Sequence, residues 1–134
     1  MTNTRNTPVE ALEMSIPVRV ERYALRRGSG GTGRHQGGMG VERVLRFLSP
    51  ARVTLVAERR RLAPFGVAGG AHGAPGSHTL LRAGAPETAQ PLPAKTTFEA
   101  DRDDVLVLHT PGGGGWGQSQ PPGESFVRRR GAEE

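Results

Sequence analysis

Glycine falls in three blocks along this chain, and these blocks constrain what it can fold into more than any other feature. The first is Gly28-Ser29-Gly30-Gly31-Thr32-Gly33, running on to Gly37-Gly38-Met39-Gly40. The second spans Gly66, Gly69-Gly70 and Gly73-Ala74-Pro75-Gly76, and the third is Gly112-Gly113-Gly114-Gly115-Trp116-Gly117. A residue without a Cβ loses more backbone freedom on ordering than any other, so long glycine segments are costly to hold in place. The chain carries 20 glycines and 11 prolines in 134 residues. Leucine, valine, isoleucine and phenylalanine together make up only about a fifth, the level near which composition favours disorder. A chain so composed is expected to be marginal alone, and a partner surface is the simplest source of the missing stabilisation.

Between the blocks the apolar pattern is that of strands. Thr7, Pro8 and Glu10 form a capping box with proline in the first helical position, predicting a short helix over roughly Pro8 to Met14. Ile16, Val18 and Val20 then alternate with Pro17, Arg19 and Glu21, the period of a half-buried strand. Val41 to Leu48 and Arg52 to Glu58 are apolar, β-branched runs separated by Ser49-Pro50, and pairing them as a hairpin is the natural inference. Thr79 to Arg82 and Lys95 to Ala100 read as short strands. Val105 to His109 is apolar enough to be covered on both faces, with Asp101-Arg102-Asp103-Asp104 before it as a charged turn. Asp103 and Asp104 are expected at a solvated strand entry. The sum is an all-β fold over residues 1-117, a short-stranded sandwich or jelly-roll-like unit with one short N-terminal helix and long glycine-rich loops. Residues 118-134, with Arg128-Arg129-Arg130, read as a flexible tail.

The formal charge is +5, and of the 18 basic residues only Lys95 is a lysine. Spread arginines suit interface ion pairs better than a nucleic-acid face, and one tryptophan, one tyrosine and four phenylalanines are few for base stacking. An arginine-rich RNA-binding β module is thereby the least favoured function, and no nucleic-acid partner is expected. The absence of cysteine excludes disulfides, a thiolate nucleophile and cysteine zinc sites. No apolar run approaches the ~18 residues of a membrane span and the first residues are polar, so no membrane partner is expected and a cytoplasmic location fits.

Gly28 to Gly33 satisfies G-x-G-x-x-G, but Arg34-His35-Gln36-Gly37-Gly38 behind it has no helical apolar face, so a tight connection is expected instead of a dinucleotide loop. No Walker pattern precedes Lys95. His35, His72, His78 and His109 lack the spacing of a metal set, and no metal site is expected here. Glu58-Arg59-Arg60-Arg61 either aims at a carboxylate, carbonate or phosphate group or makes ion pairs with a neighbouring subunit. Gly112 to Gly115 is either an anion-binding nest or a place where another backbone passes closely, with Trp116 as an anchor. No serine–histidine–acid set follows from spacing.

Several blocks taken in order resemble the C-terminal region of the hydantoinase B/oxoprolinase family. They are Thr2-Asn3-Thr4-Arg5-Asn6-Thr7-Pro8-Val9-Glu10, Arg19-Val20-Glu21-Arg22-Tyr23 leading into the first glycine block, Glu58-Arg59-Arg60-Arg61, the second glycine block, Pro93-Ala94-Lys95-Thr96, and Thr110-Pro111 with the third. The resemblance implies an ATP-dependent enzyme in which larger A-type and B-type subunits accompany this chain, with ATP and a divalent metal (Mg or Mn) held by the partner. It implies a small accessory subunit of an acetophenone carboxylase-type complex, which converts a ketone and bicarbonate to a β-keto acid, or else part of a split hydantoinase or 5-oxoprolinase. Much of the active site would then lie on a portion this sequence lacks. Asn3, Arg5, Asn6, His35 and Arg59 are the candidates for a chamber wall, positioning groups and contacting anions.

Overall fold

The computed structural model describes residues 6–119. One short helix, α1 (Val9–Ser15), precedes seven strands: β1 (Val18–Arg26), β2 (Gly40–Phe47), β3 (Ala51–Val56), β4 (Ser77–Arg82), β5 (Ala85–Pro91), β6 (Lys95–Ala100) and β7 (Val105–His109). Five of them form an antiparallel sheet in the order β1-β2-β7-β4-β5, and β3 pairs with β6 in a second, two-stranded sheet. The all-β architecture with a short N-terminal helix is thus as expected.

Alternation decides the two-layer packing. Leu45 and Phe47 on β2, Leu106 on β7 and Leu80 on β4 share one face of the large sheet, because cross-strand registers pair Leu45 with Leu106 and Leu80 with Leu106. Val53, Leu55 and Phe98 of the small sheet pack against that face, and Leu12 of α1 joins them. The fully buried set is small, centred on Leu80, Leu106 and Ala100. That is consistent with the low apolar content.

Three local expectations give way. The inferred hairpin does not form: β2 pairs with β1 and β7, while β3 pairs with β6. The Ser49-Pro50 turn carries the chain from one layer to the other, which lets β2 bury Phe47 and β3 bury Val53 from opposite sides. The helix starts at Val9 with Pro8 as its cap, and no side chain bonds the cap, so Thr7 does not complete a capping box. Glu13 does other work: its carboxylate accepts the Val20 N–H at 2.7 Å, where β1 bulges between Val20 and Arg22. A donor on this edge strand is thereby removed from strand pairing. Finally, β5 was not anticipated, because Ala85–Pro91 is exposed throughout and carries no period-two apolar signal.

The strand order sends the ends of β1 and β7 and the starts of β2 and β4 to one end of the large sheet. All three glycine blocks therefore meet there and cross-link through backbone hydrogen bonds. Gly31 donates to Gly113 and Gly113 to Gly38, each at 2.8 Å; Ala71 donates to Thr32 at 2.7 Å and Gly115 to Ala71 at 2.9 Å. Side chains pin the bundle to the sheet. The Arg26 guanidinium donates to the carbonyls of Pro75 and Thr110, and buried Ser29 accepts the Gly40 N–H at 2.7 Å. The approach is too close for a side chain: a Cβ on Gly112 would stand 1.9 Å from the Ser29 carbonyl oxygen, and one on Gly37 2.1 Å from that of Gly113. Close backbone packing, not an anion nest, is the role of this glycine, since the N–H groups of Gly112, Gly113 and Gly115 are all taken by carbonyls.

Candidate functional site

Of the five candidate wall residues, Asn3 and Arg5 lie outside the described residues. Asn6 donates its side-chain amide to the Tyr23 hydroxyl, and the Arg43 guanidinium lies 4.9 Å from the Tyr23 ring centre. His35 sits in the glycine bundle, where it exchanges two backbone hydrogen bonds of 2.9 Å with Trp116. The two rings stand 5.5 Å apart at 41°. Trp116 also forms a bridge to Val67, so it knots the first and second glycine blocks onto the third. Arg59 lies in the turn after β3 with φ of 54°. No hydrogen bond or ion pair links Asn6, His35 and Arg59 to one another among the described residues. The structure gives each a defined neighbour without gathering them into one cluster.

Two arrangements could not be foreseen from spacing. The first is a row across the large sheet: the Ser77 hydroxyl lies 3.2 Å from His109 Nδ1, and His109 Nε2 lies 3.1 Å from Glu42, which also pairs with Arg22. Glu42 orients the imidazole with its proton on Nε2, leaving Nδ1 to accept from Ser77. Only strand register brings positions 42, 77 and 109 together, so nothing local signals the row.

The second is Asp104, expected at a solvated strand entry but buried to 1% exposure. Burial alone would raise its pKa. The N–H groups of Asp101 (3.0 Å) and Ala83 (2.9 Å) and the Arg82 guanidinium (2.7 Å) outweigh that and hold the carboxyl below its usual range.

His78 is the buried histidine. Burial first, and then the positive charge of Arg60, push its pKa below the ordinary 6.5. Its Nδ1 and Arg60 Nη1 are buried atoms with no hydrogen-bond partner among the described residues. A histidine whose folded pKa is lowered lets the unfolded chain bind the extra proton. Stability should therefore fall as pH drops from about 6.5 toward the folded value. Thermal melts of wild type and His78→Leu between pH 7.5 and 5 test this; the wild-type decline over that range should flatten in the variant.

Several concavities open among the described residues. One of about 930 Å³ is lined by Arg22, Leu25, Arg26, Arg27, Met39 and Glu42. A second of about 420 Å³ lies among Arg59, Arg60, Arg61 and Lys95, and a third of about 370 Å³ joins Arg59 and Arg61 to Leu62, Phe65 and His72. No group of three or more acidic or histidine side chains is arranged to hold a metal among the described residues. No described helix is long and apolar enough to cross a membrane.

Residues 1–119 match the family model described as hydantoinase B/oxoprolinase. The chain belongs to this family. Within the hydantoinase B/oxoprolinase family, it is 39% identical to a 5-oxoprolinase of Dictyostelium discoideum over 118 residues, covering 88% of this chain and 9% of that protein. It is 35% identical over 116 residues to a Pseudomonas protein provisionally designated the B-type component of a D-/L-hydantoinase, covering 86% and 19%. Among solved structures, the ATP-dependent caprolactamase of Pseudomonas jessenii superposes with a TM-score of 0.70 at 25% identity, over 84% of this chain and 20% of that one. The chain thus spans between about a tenth and a fifth of the relatives it matches. The residues matched by the family model contain the sheet and the whole glycine bundle.

Proposed function

We propose that this chain is the C-terminal β module of the B-type part of an ATP-dependent enzyme that opens a cyclic amide. The observation that carries the reading is where its exposed apolar side chains lie. Leu25, Met39, Val67 and Trp116, four of the eleven large exposed apolar side chains among the described residues, belong to or flank the three segments of the glycine bundle. An apolar collection of this kind suits burial by a larger B-type portion. An A-type partner would hold ATP and the divalent metal, Mg or Mn. The glycine loops of this chain suit packing better than phosphate, because the Gly31 N–H within the G-x-G-x-x-G segment is already spent on Gly113. Family membership and the relatives named for 5-oxoproline, hydantoin and caprolactam chemistry support the cyclic-amide substrate class.

In this reading phosphorylation of an amide oxygen makes the carbonyl carbon electrophilic. The module shapes one wall of the chamber in which water attacks. Asn3, Arg5, Asn6, His35 and Arg59 would act as positioning and anion-contacting groups. The carboxylase form of the same reading makes the chain the small accessory subunit of an acetophenone carboxylase-type complex. Its support is the arginine-lined concavity of Arg22, Arg26 and Arg27, which suits bicarbonate or an activated carboxyl group.

Co-expression of the full chain with its cognate A- and B-type chains tests both forms. The expected result is a complex of fixed ratio whose ATP hydrolysis rises with 5-oxoproline, a hydantoin or caprolactam. Val67→Asp and Trp116→Asp should each release the chain from the complex. Acceleration only by acetophenone with bicarbonate would select the carboxylase. A fully active lone monomer would defeat the assembly reading.

A further inference from the structure

The turn after β3 carries more charge and more backbone strain than closing a strand requires. Arg59 holds a left-handed φ of 54°, unfavourable for a residue with a Cβ. Its own carbonyl fixes it there by accepting the Gly76 N–H at 3.1 Å. Around the cavity of about 420 Å³ stand Arg59, Arg60 and Arg61, with Lys95 closing it from β6 and Glu58 as the single acid in its lining. Arg60 reaches inward, donating Nη2 to the Leu92 carbonyl at 2.7 Å, while its Nη1 is buried without a partner among the described residues. Cations gathered this closely repel one another, and an anion among them recovers that energy.

The neighbouring cavity of about 370 Å³ shares Arg59, Arg61 and Leu62 and adds Ala63, Phe65 and His72. Leu62 and Phe65 are 76% and 62% exposed, an apolar wall with nothing packed over most of it. His72 Nδ1 accepts the Gly66 N–H at 3.3 Å, which fixes the ring beside that wall. Charge, strain and an apolar wall thus meet across three shared residues.

We propose that the two cavities are the halves of one ligand site for an organic oxyanion. A carboxylate or phosphoryl group is held by Arg59, Arg61 and Lys95, and its apolar body lies against Leu62 and Phe65. Arg60 is a positioning residue, tying the turn to the β5–β6 connection through Leu92. The inference rests on the assembly reading only for the identity of the natural ligand, which would be a substrate or activated intermediate of the complex. Binding itself does not depend on that reading.

The test is a ¹H–¹⁵N NMR titration of the full chain with phenyl phosphate, benzoate, inorganic phosphate and benzyl alcohol. Phenyl phosphate or benzoate should shift resonances of residues 58–66, 72 and 95. Whichever of the two binds more tightly assigns the head group, and both should bind more tightly than either fragment. Arg59→Gly removes the guanidinium and relieves the strained φ together. Its melting temperature should stay level or rise while affinity falls about tenfold, the loss expected for one charge-assisted hydrogen bond. Phe65→Ala should erase the advantage of phenyl phosphate over inorganic phosphate. Shifts confined to other residues, or unchanged affinity in both Arg59→Gly and Arg61→Ala, would overturn the proposal.

Discussion

Gly112→Ala is expected to abolish the native fold, while Gly38→Ala leaves it intact or slightly firmer. Both substitutions add one methyl group to a glycine block, and both glycines lie outside the left-handed region. The difference is what the methyl meets. At Gly112 it would stand 1.9 Å from the carbonyl oxygen of Ser29 and 2.3 Å from its carbon, whereas at Gly38 nothing lies within 4 Å. The obstruction at Gly112 is backbone, so no side-chain rotamer can move aside.

Relief requires the first and third blocks to separate. That movement breaks the bond from Gly112 to the Ala74 carbonyl and disturbs the neighbouring bond from Ala74 to Ser29. Overpacking of ordinary cores costs about 1–3 kcal/mol. A clash between backbones tied at several points should exceed the top of that range, and a small apolar core has little in reserve. Gly38→Ala instead restricts the unfolded chain and should add about 0.4–1 kcal/mol. Urea unfolding followed by far-ultraviolet circular dichroism and Trp116 fluorescence checks both; equal stability of the two variants would mean the blocks are not packed against each other as seen.

The contrast marks where sequence reading carries and where it stops. Alternation at Val18 and Val20, the β-branched run of β2 and the continuous apolar run of β7 were legible, because burial imposes its period on neighbouring residues. Gly112 to Gly115 was legible only as a choice between an anion nest and a close backbone approach, and the backbone that passes is this chain's own. What was not legible depends on pairing across long separations. Adjacent runs joined by a turn need not pair: the turn at Ser49-Pro50 changes layers, so β2 pairs with β1 and β7 and β3 with β6. The Ser77–His109–Glu42 row has no local trace, since its members lie on three strands. Arg59 was legible as a cation, but its left-handed backbone and shared cavities arise only once Gly76 bonds its carbonyl.

Asp104 is the sharpest case, and Asp104→Ala should cost about 3–5 kcal/mol, the range for breaking a buried charged pair by removing one partner. In the sequence it is the second of two aspartates in a polar turn, indistinguishable from Asp103. In the fold Asp103 is exposed, with a left-handed φ of 66°, and the chain's next step turns Asp104 inward. Its two oxygens gather the N–H groups of Asp101 and Ala83 and the Arg82 guanidinium, locking the turn before β7 to the β4–β5 hairpin. Removing the carboxylate leaves two backbone donors without acceptors and leaves Arg82 its bond to the Glu99 carbonyl. Because Arg82 is 39% exposed along its side chain, it can find water, which favours the lower end of the range. The pH dependence supplies an independent signature. A carboxyl held below its ordinary value stabilises the fold above about pH 4, and that stabilisation is lost as pH falls through the folded value. Wild type should therefore show a loss of stability below about pH 4 that is smaller in Asp104→Ala. Chemical denaturation at pH 7 and pH 3 measures both effects. A variant within about 1 kcal/mol of wild type at pH 7, with the same acid loss, would show that Asp104 does not hold these two segments together.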